Sequence, residues 1–266
     1  MRLSLITRLG AAALGGLALS LTAAFAGLRV QPARDFFSGA QLVLAQAIEQ
    51  GRLDEVRAQA RALGPGQLNA AGAQEMTLLF FAVQSAFGEK PRQLEILTEL
   101  VRAGADPLQR VKDLGSPLGV ALRARSPLYV QAFLDGGASP NSSDGSTPIL
   151  FEAASEHTAA TLKLLLDRGA DPNKKDSLGN TALMKALTGM QLDQVVYLLE
   201  RGASPAFVNV NGVSFAGQLQ FQMGRQQADS PAMRKLEEIR RRIAALGVAW
   251  PPPSRDEERA RMRARE

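Results

Sequence analysis

The chain of 266 residues has no cysteine and one histidine, His157. Without thiols it can form no disulfide, no Cys-ligated zinc site and no Cys–His nucleophile, and one imidazole cannot build a two-histidine metal motif. Any Ser–His–Asp arrangement would have to use His157 alone. Aromatic residues make up only 5%, with Trp250 the single tryptophan, so the interior is expected to be layers of Leu, Ala and Val, with no aromatic cofactor box. There is no Gly-rich phosphate loop either. Carboxylates that stand together, Asp54 with Glu55 and Glu237 with Glu238, are sequence neighbours, and neighbours on a helix do not face one another across a substrate. These absences argue against an enzyme, a cofactor, a metal site and a small-molecule substrate.

Excess charge of one sign is also confined. The formal net charge is +5, but residues 233–266 hold 10 basic against 6 acidic side chains, and Arg2 and Arg8 supply two more positive charges. That leaves 19 basic and 20 acidic residues between 27 and 232. A body so nearly balanced lacks the basic stripe that a nucleic-acid partner requires.

An uncharged run rich in Leu and Ala, Leu9 to Leu28, follows Arg2 and Arg8 and contains Ala24-Phe25-Ala26. A basic start, an apolar middle and small residues two apart describe a secretory signal peptide over 1–26, cleaved after Ala26. The rival reading is an uncleaved anchor, since twenty uncharged residues could just span a bilayer. In both cases the remainder is exported, and a periplasmic location is expected, with membrane attachment only if the run is retained. An exported chain with no cysteine must draw its stability from packing.

What is present is a repeat. The phrase Gly-Ala-[Asp/Ser]-Pro stands at Gly104–Pro107, Gly137–Pro140, Gly169–Pro172 and Gly202–Pro205, in steps of 33, 32 and 33 residues. A constant period of that size marks a stacked array. A hydroxyl residue opens each unit at Thr77, Ser116, Thr147 and Thr181, where its oxygen can accept from the orphan amides of a first helical turn. A second helix then ends at the Gly, and Asp or Ser plus Pro turn the chain outward into a loop. With these phrases the chain resembles the ankyrin repeat over roughly Phe36 to Pro251. The expected fold is an all-α solenoid of about six helix-turn-helix units with hairpin-like loops, covering 36–250 after a linker at 27–35.

The units lie near 36–70, 76–110, 116–141, 147–173, 181–205 and 212–250. In the first, Leu63-Gly64-Pro65-Gly66 replaces the repeated ending, as suits an N-terminal cap. In the second, Thr77 to Gly104 is six residues longer than Ser116 to Gly137, and the extra residues are expected in a loop near Ser85–Arg92. The last has Leu236, Ile239, Ile243 and Leu246 on one helical face and reads as the C-terminal cap. After Pro251-Pro252-Pro253 the segment to Glu266 is almost wholly charged and is expected to be disordered or loosely helical.

The resemblance implies that hairpin tips and the exposed face of each first helix meet a protein partner. The residue four after each opening hydroxyl then points to that surface, giving Phe81, Val120, Phe151 and Lys185; a register shift near Glu152 would instead turn Phe151 into the core. Tip residues add Lys112, Asp144, Lys174 and Lys175. The family's usual histidine, which ties neighbouring repeats by hydrogen bonds, is replaced by Phe80, Gly119, Leu150, Met184 and Gly217, so polar ties between repeats are expected to be missing. His157 falls at the turn between two helices, where the family often has Gly-His, a structural position.

Met76–Phe80, Gly179–Met184 and Leu246–Pro251, with the export signal, are similar to proteobacterial ankyrin-repeat proteins that stand beside type VI secretion phospholipase effectors. The resemblance implies a monomeric immunity protein whose partner is such a lipase effector. The alternative is a periplasmic scaffold or stress-related factor supporting an envelope enzyme.

Overall fold

The computed structural model describes residues 31–264. The segment expected to be a signal peptide, 1–26, and the first four residues of the linker expected at 27–35 lie outside those residues. Thirteen α-helices are described, and the chain divides into two compact blocks at Ser139/Pro140.

The N-terminal block holds three helix pairs. These are α1 (Gly39–Glu49) with α2 (Leu53–Leu68), α3 (Leu78–Ser85) with α4 (Pro91–Arg102), and α5 (Pro117–Leu122) with α6 (Leu128–Asp135). The expected cap hydroxyls are in place, with Thr77 accepting from the Phe80 amide at 3.1 Å and Ser116 from that of Gly119 at 2.9 Å. Each satisfies one of the amides that a helix start leaves orphaned. Within α2 the backbone departs from helical geometry at Gly64, φ +68°, immediately before Pro65. The array's usual ending is thus replaced by a break followed by one more turn.

The six extra residues of the second unit do not form a longer loop. Helices α3 and α4 have 8 and 12 residues, against 6 and 8 in α5 and α6. The added length goes into helix, because Leu78 to Ser85 are all buried and Pro91 opens α4 at its first position, where proline is tolerated. Close packing then fixes α6 on α4. A Cβ at Gly136 would lie 2.6 Å from Val101 Cβ and 2.8 Å from the Thr98 carbonyl oxygen, so only glycine permits that approach.

The C-terminal block opens with a two-stranded antiparallel hairpin, β1 (Ser143–Asp144) and β2 (Thr147–Pro148), in the register Ser143 to Pro148 and Asp144 to Thr147. Three more pairs follow: α7 (Ile149–Glu152) with α8 (Ala159–Asp167), α9 (Ala182–Thr188) with α10 (Leu192–Glu200), and α11 (Phe215–Met223) with α12 (Pro231–Ala245). Thr181, Ser214 and Ser230 cap α9, α11 and α12 through side-chain oxygens. Thr147 does not cap α7, because it is spent in β2, and the helix shrinks to four residues. On α12, Leu236, Ile239 and Ile243 are buried as the apolar stripe requires, whereas Leu246 lies past the helix end and is 60% exposed.

The charged tail forms a helix, α13 (Arg255–Arg263), although none of its residues is buried. Local chemistry accounts for it. Ser254 and Glu257 make a reciprocal capping box, three acidic residues stand in the first turn, and Arg261 and Arg263 stand in the last, each favourable to the helix dipole. Among the described residues no helix is long and apolar enough to cross a membrane.

Neighbouring repeats are tied by polar bonds, contrary to the expectation drawn from the missing histidines. Asparagine does the tying. Asn141 receives the Asp171 amide at 2.7 Å and donates to the Gly169 carbonyl at 3.1 Å, and Asn173 does the same with Ser204 and Gly202 at 2.7 and 3.1 Å. In the N-terminal block Asn69 accepts from Asp106 at 2.7 Å and donates to Gly104 at 2.9 Å. One carboxamide carries both a donor and an acceptor, so a single side chain satisfies both backbone groups of the next turn. Buried glutamines add further ties, from Gln93 to the Ile48 carbonyl at 2.9 Å and from Gln194 to that of Ser155 at 2.7 Å.

Candidate functional site

The loops after each second helix are small hairpins. In the C-terminal block their shape is fixed by side-chain caps. The Asp176 carboxylate accepts from the amides of Leu178 and Asn180 at 2.9 and 2.8 Å, and Asn209 accepts from Asn211 and Val213, both at 3.0 Å. Two bonds join these tips, one from Asn209 Nδ2 to Asn180 Oδ1 at 2.9 Å and one from the Val210 amide to the Leu178 carbonyl at 3.0 Å.

This bracing holds two large apolar side chains in water. Leu178 is 50% exposed and Val210 55%. Beside them the Lys175 ammonium lies 3.9 Å from the Phe207 ring centroid. On the first helices, Phe151 of α7 is half-buried, with the Lys185 ammonium of α9 5.3 Å from its ring centroid. Phe221 of α11 is 53% exposed, with the Arg225 guanidinium 5.4 Å from its ring. Three cation–ring pairs and two bare aliphatic side chains therefore stand on tips and first helices of one block. Aromatic and arginine anchors of this kind carry much of the energy in protein interfaces.

Of the sequence-predicted site residues, Phe151, Lys185 and Lys175 belong to this surface. Lys174 is half-buried, and its ammonium is bound to the Asn141 carbonyl, which commits it to the inter-repeat tie. Asp144 is half-buried within β1. Lys112 is exposed on the tip closed by the Val111–Gly115 bridge in the N-terminal block. Phe81 is corrected from surface to core. It has no exposure, because Phe36 and Phe37, just before α1, pack their rings on it with centroids 6.2 and 5.7 Å away. Val120 is also buried, at 9%, and lines a cavity.

Leu178, Phe207, Val210 and Phe221 were missed by sequence reasoning. Leu178 and Val210 did carry a signal, as branched apolar residues beside Gly or Asn in a turn, where no core is within reach. Phe221 carried none, because exposure of one residue on an amphipathic helix depends on what packs beside it. His157 stands in the turn between α7 and α8, exposed, 3.8 Å from the Glu156 carboxylate.

A cavity of about 250 Å³ lies within the N-terminal block. Its walls include Val83, Phe87, Val120, Ala121, Ala124 and Tyr129. Glu89, Arg125 and Ser126 complete it with polar groups. The Tyr129 hydroxyl donates to the Ala86 carbonyl at 3.2 Å, and burial raises its pKa above the usual 10.0.

Residues 118–209 match the family model for ankyrin repeats in three copies. The ankyrin repeat domain of Bcl-3 superposes with a TM-score of 0.56 at 24% identity, covering 75% of this chain and 85% of that one, a likeness of fold. Among curated proteins, protein PhlB of Serratia liquefaciens is 32% identical over 151 residues, 56% of this chain and 62% of its own length. Zygote-specific protein 3 of Chlamydomonas reinhardtii is 38% identical over 96 residues, 36% of this chain and 26% of that protein. The E3 ubiquitin-protein ligase KEG of Arabidopsis thaliana is 31% identical over 171 residues, 63% of this chain and 10% of that protein. The chain spans less than two thirds of each of these relatives. No catalytic family is indicated.

Proposed function

We propose that this ankyrin-repeat chain is an exported protein-binding module and that its partner docks on the tips and first helices of the C-terminal block. Ankyrin repeats indicate a protein–protein interaction module, and such a fold is typically a non-enzymatic scaffold. The observation that carries the choice of surface is the bracing of exposed Leu178 and Val210 by Asx turns and tip-to-tip bonds. Rigid, bare apolar groups lose little entropy on association, and flanking Lys175, Lys185 and Arg225 speed encounter with an acidic face.

The finer reading is a periplasmic immunity protein that covers a type VI secretion lipase effector delivered to that compartment. It is supported by the basic start and apolar run of residues 1–26, and by a bacterial relative, PhlB, that matches over 56% of the chain. Fractionation combined with capture of a lipase-like protein encoded beside the gene tests it. The chain is expected in the periplasmic fraction, binding that protein, with a Leu178→Ala, Val210→Ala double variant at least about tenfold weaker. Capture of an unrelated envelope enzyme in its place would replace immunity by scaffolding. Unchanged affinity of the double variant would remove the surface assignment.

A further inference from the structure

The cavity of about 250 Å³ in the N-terminal block lies outside the proposed docking surface. It is larger than the roughly 150 Å³ apolar hole that accepts benzene and smaller than the roughly 300 Å³ at which drug-sized pockets begin. That leaves room for one ring system and its linking carbons. Val83, Phe87, Val120, Ala121 and Ala124 give it apolar walls.

Its polar edge is specific. Arg125 is exposed and Glu89 is partly exposed, and among the described residues neither makes an ion pair. A guanidinium can only donate and a carboxylate can only accept. A polypeptide residue presents just this pair of needs, a carbonyl on one side of its side chain and an N–H on the other. Glu89 also sits at φ +58°, next to Gly88 at φ +86°, in the turn ahead of Pro91 where α4 begins.

We infer that this cavity is the seat of a single large aromatic side chain from a protein partner, with Arg125 receiving the flanking carbonyl and Glu89 the flanking amide. The inference rests on the protein-binding reading and adds a second contact to it, in the N-terminal block. It gives Val120 the role that its burial denied it on the open face.

The test uses the full chain from residue 27, labelled for amide and methyl NMR, titrated with N-acetyl-L-tryptophanamide. Saturable shifts are expected at Val83, Val120, Ala121 and Tyr129, with a dissociation constant on the order of 1 mM or below. Glu89→Gln and Arg125→Gln, both at the water-facing edge, should each weaken binding about threefold to tenfold, and Ala124→Leu should abolish it by filling the space. Free tryptophan binding where the capped form does not would assign the cavity to an amino acid, and decanoate binding alone would assign it to an amphiphile; either result overturns the polypeptide assignment. So does an absence of shifts at the cavity. Because the Leu178→Ala, Val210→Ala variant leaves the cavity intact, failure here and failure of the docking surface give different patterns.

Discussion

Phe81 and Phe151 occupy the same place in their repeats, four residues after the opening hydroxyl, and meet opposite fates. In the N-terminal block Phe36 and Phe37 roof Phe81 and remove it from water, while in the C-terminal block Phe151 remains half-buried under the Lys185 ammonium. The difference is not in the repeat but in what the chain lays over it. Phe36 is brought down by a bond from the Ala73 amide to its carbonyl at 2.7 Å, so the segment before α1 becomes part of the core. Phe81 therefore serves the core of its block, whereas Phe151 keeps part of its ring in water.

The rings that roof Phe81 carry the largest expected effect. Phe37→Ala should destabilise the N-terminal block by about 3–5 kcal/mol, read as a lower midpoint in urea unfolding. Gly136→Ala comes next, since the new methyl meets Val101 and the Thr98 carbonyl, and should cost about 1–3 kcal/mol by the same measurement. In the C-terminal block Asn173→Ala should also cost about 1–3 kcal/mol, by removing its bonds to Gly202 and Ser204, with hydrogen exchange speeding at the Ser204 amide.

The smallest effect concerns α13, which leans on the last tip through Arg259 Nε to the Asn211 carbonyl at 3.1 Å and through Gly212. At Gly212, φ +74° and a Cβ that would lie 2.8 Å from the Arg255 carbonyl oxygen both require glycine. The Glu257 carboxyl is held below its ordinary 4.5, first by the Ser254 backbone amide and then by its hydroxyl. A lowered acid stabilises the fold above its unfolded value and loses that effect as pH falls through the folded one. Acidification below about 4.5 should thus loosen α13, seen as faster exchange at the Glu257 amide, and Glu257→Gln should show that loosening already at neutral pH.

The architecture was legible because it is local and repeated. Gly-Ala-[Asp/Ser]-Pro marks where second helices end, and three of the four opening hydroxyls, Thr77, Ser116 and Thr181, cap the helix that follows. The ties between repeats were legible only in part. Asn141 and Asn173 stand directly after the repeated phrase, but nothing in the phrase itself shows that a carboxamide there reaches the backbone of the next turn. Leu108 holds that position in the phrase beginning at Gly104, so the pattern is not uniform. Phe81 could not be placed from the sequence, because the rings that cover it lie more than forty residues earlier in the chain. The extra length of the second unit was visible as a count, but whether it became loop or helix depended on tertiary burial of Leu78 to Ser85.

Equal places in the repeat do different work: Phe81 holds its block together, and Phe151 contributes little to the stability of the other. Urea unfolding of Phe81→Ala and Phe151→Ala, side by side, tests it most directly. A loss of about 3–5 kcal/mol is expected for Phe81→Ala and one of less than about 1 kcal/mol for Phe151→Ala. Equal losses, or a larger loss at Phe151, would contradict it.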